Sequence, residues 1–595
     1  MTLAIGSRVL AALAVSVFLN GNPMAASLPA VEAANGMVVT SQRLASQVGV
    51  DILKKGGNAV DAAVAVGYAQ AVVNPCCGNI GGGGFMTLHL ADGRDIFINF
   101  REKAPAAARP DMYLDAAGNV VKNASLRGYL AAGVPGTVLG LDTAQRKYGK
   151  LSRAQVMRPA IKLAQDGFIL TRGDTDILDT TVQQIGMDAE AARIFLRRDG
   201  SPLQPGDRLV QKDLARTLQA IARHGPDAFY KGAIPAAVER AANSAGGLIS
   251  AADFAAYTIS ESAPLSCDYR GYVFVSAPPP SSGGATLCQI LNTLEGYDLR
   301  AMGFNSAATI HVMAEAMRHA FMDRNTFLGD PAFVSNPLDR LLSKDYAALI
   351  REKILADRAT PSAEVQPGVT PHAPHEKTET THYSIVDREG NAVSTTYTIN
   401  GRFGAVVIAP GTGFFLNNEM DDFTIKIGVR NLYGLVQGAT NAIAPGKQPL
   451  SSMAPTLVNR DGKTFMVLGS PGGSRIITIT LQTALNVIDH GMAPQEAVDA
   501  PRVHHQWLPD EVFYETRGVS ADSLKILRQM GYKMTEQVPW GAAELILIGV
   551  PGVPGAAGVA PPSSGNDAAV SGRVRPGFYY GANDVRRPAG AAIGY

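Results

Sequence analysis

Between residues 41 and 73 apolar side chains recur at helical spacing, broken at Gly56-Gly57, and the pattern predicts two consecutive helices. After Asn74-Pro75 and the glycine run Gly81-Gly82-Gly83-Gly84, alternation returns over residues 85–90 and 95–100. These are joined by Ala91-Asp92-Gly93-Arg94, a hairpin signal. The middle third is expected to be largely helical. Ser306 is placed to cap a helix whose Ile310, Met313, Ala314, Met317 and Phe321 form one core-facing stripe and nothing more. Periodicity collapses over residues 360–379, where Pro361, Pro367, Pro371 and Pro374 mark an exposed linker. Strong strand patterns follow at 382–387 and 392–398 around Arg388-Glu389-Gly390-Asn391. A further pair at 456–459 and 463–468 turns at Asp461-Gly462, and a helix is expected at 476–488. Hairpins interleaved with helices imply an α+β fold of stacked antiparallel sheets covered by helices. Residues 549–572, rich in Gly, Pro, Ala and Ser, read as a flexible insertion.

Composition narrows the function classes. The chain has 595 residues, 46% hydrophobic and 18% charged, with Lys+Arg 53 against Asp+Glu 52 and a formal net charge of +1. That length exceeds the ~250–300 residues one hydrophobic core sustains. The charge balance argues against nucleic-acid binding and against a surface drawn to anionic lipid. Arg8 followed by the apolar run 9–19, then Asn20-Gly21-Asn22 and Ala25-Ala26-Ser27, reads as a secretory signal peptide over residues 1–26. The run falls short of the ~20 residues a spanning helix needs, and no longer one follows, so no membrane insertion is expected. The protein is expected to be exported, and periplasmic in a bacterial host. Of its four cysteines, the adjacent Cys76 and Cys77 are expected not to pair without strain. Cys267 and Cys288 lie far enough apart to close a loop in an oxidising compartment. All four are read chiefly as small buried hydrophobes, with no metal-ligand spacing.

The chemistry concentrates where linker meets strand, at Lys377-Thr378-Glu379-Thr380-Thr381-His382-Tyr383-Ser384. Cleavage between Glu379 and Thr380 would give Thr380 a free α-amine beside its own Oγ1. Such amines have a pKa of about 7.7–8.0, so one residue would supply both nucleophile and base. His504-His505 carry no assigned chemistry. No G-x-S-x-G, P-loop or H-E-x-x-H signature occurs, and the Gly81 run enters a strand instead of opening a phosphate-binding helix.

The segments Thr380-Thr381-His382-Tyr383-Ser384, Asn417-Asn418-Glu419-Met420-Asp421-Asp422-Phe423, Pro449-Leu450-Ser451-Ser452-Met453 and Gly469-Ser470-Pro471-Gly472-Gly473-Ser474-Arg475 occur in that order. Together with Gly81–Phe85 and Phe100-Arg101-Glu102 they resemble the γ-glutamyltransferase family of N-terminal-nucleophile hydrolases, from about residue 36 to Tyr595. The resemblance implies a four-layer αββα sandwich built from two chains produced by self-cleavage, a large subunit of residues 27–379 and a small subunit of residues 380–595. It implies γ-glutamyl transfer from glutathione and related amides to water, amino acids or peptides through a Thr380 ester, with no metal and no organic cofactor.

Carried over by position, Thr380 is the nucleophile, Thr398 its hydrogen-bond partner, and Gly472 and Gly473 the donors to the oxyanion. Arg101, with Ser451 and Ser452, is expected to hold the α-carboxylate. Asn400, Glu419 and Asp422 are expected to receive the ammonium and neighbouring atoms. Tyr433, in Asn431-Leu432-Tyr433-Gly434, falls where many bacterial members carry a lid. Gln448, Gly401-Arg402-Phe403-Gly404-Ala405 and Cys76-Cys77 depart from the family pattern and bear on acceptor preference and exact substrate. A glutaryl (cephalosporin) acylase of the same fold and an inactive exported γ-glutamyl-binding protein are the alternatives. The zwitterion-matching set Arg101, Glu419 and Asp422 argues against the first, and intact Thr380, Thr398, Gly472 and Gly473 against the second.

Overall fold

A computed structural model describes residues 27–365, 380–549 and 574–595. The expected signal peptide, most of the linker and all but Gly549 of the insertion therefore lie outside the described residues.

The chain opens with strands β1 (Val31–Ala33) and β2 (Gly36–Thr40) and the helix pair α1 (Arg43–Lys54) and α2 (Ala59–Val73). Asn58 caps α2 through a reciprocal box with Asp61. The hairpin β3 (Gly83–His89) and β4 (Asp95–Phe100) follows, then α3 (Thr137–Tyr148) and α4 (Arg153–Asp166). Strands β5 (Ser260–Ser262), β6 (Leu265–Tyr269) and β7 (Tyr272–Ser276) precede α5 (Gly283–Leu294) and α6 (Ala307–Phe327). Ser306 caps α6 by accepting from the Thr309 N–H. Beyond residue 379 come the hairpins β8 (Thr381–Asp387) with β9 (Ala392–Thr398) and β10 (Thr456–Arg460) with β11 (Lys463–Gly469). Then follow α7 (Arg475–Ile488) and strands β12 (Glu544–Ile548), β13 (Tyr579–Asn583) and β14 (Ala591–Gly594).

Two seven-stranded sheets result, in the orders β14-β2-β8-β9-β3-β4-β5 and β1-β13-β12-β11-β10-β7-β6, and neighbouring strands run antiparallel throughout. They face each other through Met37, Val39, Val386 and Ala392 on one side and Val275, Leu457, Val467 and Ile546 on the other. Burying each of the larger of these side chains contributes roughly 1.5–3 kcal/mol. The outer face of the first sheet packs on α1–α4 through Val38, Met86, Ile385 and Tyr397. The outer face of the second packs on α5, α6 and α7 through Phe274, Val458, Met466 and Leu545. The layers therefore run αββα, as the resemblance implied.

Three expectations need correction. Residues 260–276 lie in the stretch expected to be largely helical but form β5–β7, the last two joined at Arg270-Gly271, where both residues take positive φ. The linker is not exposed from its start: Ser362 is buried, donates from Oγ to Trp507 O (2.6 Å) and accepts from Arg318 Nη1 (2.5 Å). The cysteines are bridged, as Cys76–Cys77, both buried, and as Cys267–Cys288, in which Cys288 is buried and Cys267 partly so. The second bridge forms because β6 packs on α5 with the two Cα atoms 5.9 Å apart, a packing that sequence spacing does not report. The first closes within the turn after α2, where the N–H groups of Cys77 and Gly78 both reach Asn74 O.

Candidate active site

The glycine run owes its composition to close approach. A Cβ on Gly82 would stand 2.0 Å from Thr398 O, and one on Gly81 2.0 Å from Phe415 O. Only glycine lets β3 lie against the end of β9 at that distance. Register in the β8–β9 hairpin pairs Thr381 with Tyr397, which sets Thr380 opposite Thr398. Their hydroxyl oxygens are 3.4 Å apart. The Thr398 oxygen also accepts from the Asn400 N–H at 2.8 Å, which holds it opposite Thr380.

Behind the nucleophile runs a buried polar column. Ser384 Oγ donates to Glu544 O (2.9 Å), and so it accepts from His382 Nε2–H (3.1 Å). The His382 Nδ1 atom is then the acceptor for the Thr396 hydroxyl at 2.8 Å. Burial pushes the His382 pKa down to about 3, so the ring is neutral. Gly469 makes room for it, since a Cβ there would lie 2.3 Å from the ring.

In front of Thr380 a small cavity of about 20 Å³ is lined by Arg101, Thr398, Asn400, Glu419, Asp422 and Tyr433, together with Ser451, Ser452 and Gly473. A single water takes up about 10–15 Å³ on that measure, so the cavity as it stands holds little more. Every residue that sequence singled out is thus brought to one place, except Gly472, which lies one residue outside the lining. Gly472 (φ 142°) and Gly473 (φ 56°) both take conformations that favour glycine. A side chain at Gly473 would collide with the Tyr433 ring at 2.4 Å. Among the described residues, neither of their N–H groups is spent on a backbone partner.

Arg101, at the end of β4, is completely buried. Its Nη1 donates to Glu419, its Nη2 to Asp422 Oδ2 (2.6 Å), and its Nε to Pro449 O (3.2 Å). Glu102 lies 3.4 Å from Nη1. Burial alone would lower the Arg101 pKa, but Glu419, Glu102 and Asp422 together hold it above its ordinary value. Burial pushes Glu102 up to about 7 and raises Glu419 and Asp422, against the pull of Arg101. Glu419 and Asp422, expected to face an ammonium, are here the partners of Arg101. Asn400 is in the left-handed region (φ 72°) and donates from Nδ2 to Asn418 O (3.0 Å). Tyr433 lines the cavity and donates its O–H to Asn400 O at 2.9 Å. Gln448 does not enter the cavity. Its Nε2 donates to Arg101 O (3.0 Å) and holds the arginine backbone from behind.

Sequence reasoning missed Arg324. The stripe on α6 is core as expected, but the same helix carries this fully buried guanidinium to the cavity wall. Its Nε donates to Ser282 Oγ (2.9 Å), its Nη1 to Gln437 Oε1 (3.1 Å) and Asn325 Oδ1 (2.7 Å), and its Nη2 to Ser452 Oγ (3.0 Å). Burial lowers its pKa to about 10, which leaves it charged at neutral pH. The legible signal was Asp323-Arg324-Asn325, three polar residues in a row near the end of an otherwise buried helix.

Thr380 also borders a second, much larger cavity of about 690 Å³. Its walls include Cys76, Cys77, Phe168, Arg402, Phe403, Arg475 and Trp540. Arg475 stacks over the Trp540 ring at 4.4 Å. Two of the three departures noted in the sequence, the Gly401–Ala405 segment through Arg402 and Phe403 and the cysteine pair, thus border this cavity, whose wall they share with Thr380.

Two facing antiparallel sheets between helical layers, with a threonine at the head of a central strand, define the class of N-terminal-nucleophile hydrolases. Across residues 45–570 the sequence matches the family described as Gamma-glutamyltranspeptidase. It is 55% identical over 590 residues, 99% of each chain, to a glutathione hydrolase proenzyme of Pseudomonas sp. (strain A14). Against the glutathione hydrolase proenzyme of Escherichia coli (strain K12) it is 50% identical over 522 residues, 88% of this chain and 90% of that relative. The crystal structure of a cephalosporin acylase from Bacillus halodurans is similar with a TM-score of 0.79 at 26% identity, covering 97% of this chain and 98% of that one. The chain belongs to the γ-glutamyltranspeptidase family.

Proposed function

We propose that this protein transfers the γ-glutamyl group of glutathione and related amides to water, or to amino acids and peptides, after breaking its own chain between Glu379 and Thr380. The observation that carries the reading is that one small cavity is lined both by Thr380 and by the charged set Arg101, Glu419 and Asp422. A γ-glutamyl group has that layout, with an amide at one end and a carboxylate and ammonium at the other.

In turnover the freed Thr380 α-amine takes the Oγ1 proton as Oγ1 attacks the γ-carbonyl carbon. Negative charge on the carbonyl oxygen is met by the Gly472 and Gly473 N–H groups. The amine then returns the proton to the departing nitrogen, which leaves a Thr380 ester for water or an acceptor amine to open. Arg101, Ser451 and Ser452 hold the α-carboxylate, while Glu419, Asp422 and Asn400 face the ammonium. Since Arg101 is paired with Glu419 and Asp422 here, donor binding exchanges part of that pairing for the donor's own charges. Tyr433 acts as a lid: with about 20 Å³ beneath it, the cavity must open before a glutamyl group enters.

Residues 1–26 are proposed to direct export, and residues 27–379 and 380–595 to remain together as a heterodimer. Among the described residues no helix is long and apolar enough to cross a membrane. The intact mass of purified protein tests the scheme. Wild type is expected as two pieces with Thr380 at a new N-terminus, whereas Thr380→Ala is expected as one chain inactive on a γ-glutamyl anilide. Turnover by that variant would refute the assignment. Faster hydrolysis of a glutaryl than of a γ-glutamyl anilide by wild type would move the protein to the acylases.

A further inference from the structure

The Cys76–Cys77 bridge lies on the wall of the larger cavity, on the same cavity as Thr380. We propose that it is a thiol-exchange site, opened by small thiols entering that cavity, and that opening it weakens the hold on the γ-glutamyl group. The inference rests on the function proposed above.

Position comes first. The turn bearing the two cysteines touches both sides of the catalytic centre. Asn74 Nδ2 donates to Thr381 Oγ1 (3.3 Å), next to the nucleophile, and the same hydroxyl lies 2.9 Å from Ser41 Oγ. The Phe403 N–H donates to Cys76 O (3.0 Å), and Asn79 Nδ2 donates to Cys77 O (3.2 Å). Phe403 belongs to the loop after Asn400, in which Asn400, Phe403 and Val406 all hold positive φ (72°, 58° and 56°). Non-glycine residues stay in that region only while their surroundings impose it. Part of what imposes it is the bridged turn, through the Phe403–Cys76 hydrogen bond.

Access comes second. Each cysteine is only 2% exposed, so a thiol reaches the pair through the cavity and must be small. The proposed donor is such a thiol. With its glutamyl group under Tyr433, the cysteinyl sulfur of glutathione sits three bonds from the departing nitrogen, on the side of Thr380 where Cys76 and Cys77 form the wall. The released cysteinylglycine carries the same thiol.

The exchange balances without another reagent. A thiolate attacks one bridge sulfur, the Cys76–Cys77 bond breaks, and the second cysteine departs as thiolate and takes a proton. A second thiol then attacks the mixed disulfide, releasing the small-molecule disulfide and leaving two protein thiols. Two small thiols are oxidised by two electrons in all, and the bridge is reduced by the same two. Without the covalent link the 74–78 turn relaxes, and the loop presenting Asn400 loses one of its supports.

The mature enzyme is treated with dithiothreitol or glutathione, alkylated with iodoacetamide and mapped by mass spectrometry, with activity followed on a γ-glutamyl anilide, whose leaving group bears no thiol. Labelling of Cys76 and Cys77 is expected before Cys267 and Cys288, together with a 5- to 20-fold rise in anilide KM that oxidised glutathione reverses. Cys76→Ala/Cys77→Ala is expected to show the raised KM throughout and no response to thiols. A Cys267→Ala/Cys288→Ala variant is expected to keep the response. Bridge cysteines that stay unlabelled while Cys267 and Cys288 react would overturn the proposal, as would a KM unchanged after they are labelled. Anilide turnover by the untreated enzyme is a separate reading, so failure of the redox step is distinguishable from failure of the proposed reaction.

Discussion

The two cavities that meet at Thr380 are built on opposite plans. One is small, about 20 Å³, and walled by buried ions each held by partners: Arg101 against Glu419 and Asp422, Arg324 against Ser452 and Gln437. The other is large, about 690 Å³, and walled by segments from residue 41 to residue 589 that mix aromatic, aliphatic and charged side chains. Buried charges are costly unless satisfied, so the small cavity tolerates one ligand chemistry and rejects analogues that lack a charge. A wide wall of mixed character discriminates by fit, which is worth less per contact. On the function proposed above, the contrast predicts stringent donor recognition in the first and permissive acceptor choice in the second.

Substitutions in the small cavity should therefore have large, donor-specific effects. Arg101→Lys keeps the charge but loses the fork, and kcat/KM for a γ-glutamyl anilide is expected to fall about 100-fold, as suits a lost bidentate charge-assisted pair. Steady-state kinetics on the cleaved enzyme checks this, and a loss under fivefold would mean that Arg101 does not meet the donor.

Arg324→Gln should cost about tenfold, and selectively. By donating to Ser452 Oγ, Arg324 obliges the serine to aim its own proton elsewhere, toward a bound carboxylate. Anilides of γ-glutamate and glutarate, which carry that carboxylate, should both show raised KM, while a 4-aminobutyryl anilide, which lacks it, should not. An equal loss on all three would reduce Arg324 to a structural role.

A weaker effect follows from pH. Glu102, pushed up to about 7 chiefly by burial, carries its proton in the fold at pH values where an unfolded glutamate has lost it. Its contribution to stability is complete below the ordinary glutamate pKa and is lost as pH rises through about 7. In the same window loss of that proton adds a negative charge beside Arg101, and donor KM should climb a few-fold between pH 6 and 8. Glu102→Gln should flatten that rise, and an unchanged slope would exonerate Glu102.

The smallest effect belongs to the wide cavity. Val538 is exposed on its wall, and Val538→Glu should raise KM for anionic peptide acceptors about two- to threefold, with donor KM moving less. An acceptor effect above tenfold would make the wide cavity as stringent as the narrow one.

The contrast also explains what was legible in the sequence. The small cavity is assembled from contiguous runs, 417–423, 449–453 and 469–475, whose crowded glycines and buried acids leave a dense local signature. The sheet order was legible in part, because the β3–β4, β8–β9 and β10–β11 hairpins each carry their own turn residues. Strands β5–β7 were lost inside a helical neighbourhood, although Arg270-Gly271 marks their turn. Arg324 was hidden because a helix periodicity records which face is inward and not which inward residue is charged. The two disulfides and the wide cavity depend on which segments pack together across the fold, and local pattern carries none of that.

Both seven-stranded sheets mix strands from before and after residue 380: β2, β3, β4 and β5 with β8, β9 and β14 in one, and β1, β6 and β7 with β10, β11, β12 and β13 in the other. A cut at that residue consequently yields no pair of separable modules: each piece alone is a comb with missing teeth. Isotope-labelled and unlabelled enzyme mixed in native buffer should form no hybrids over days, and the lifetime of the assembly is then that of the folded state itself.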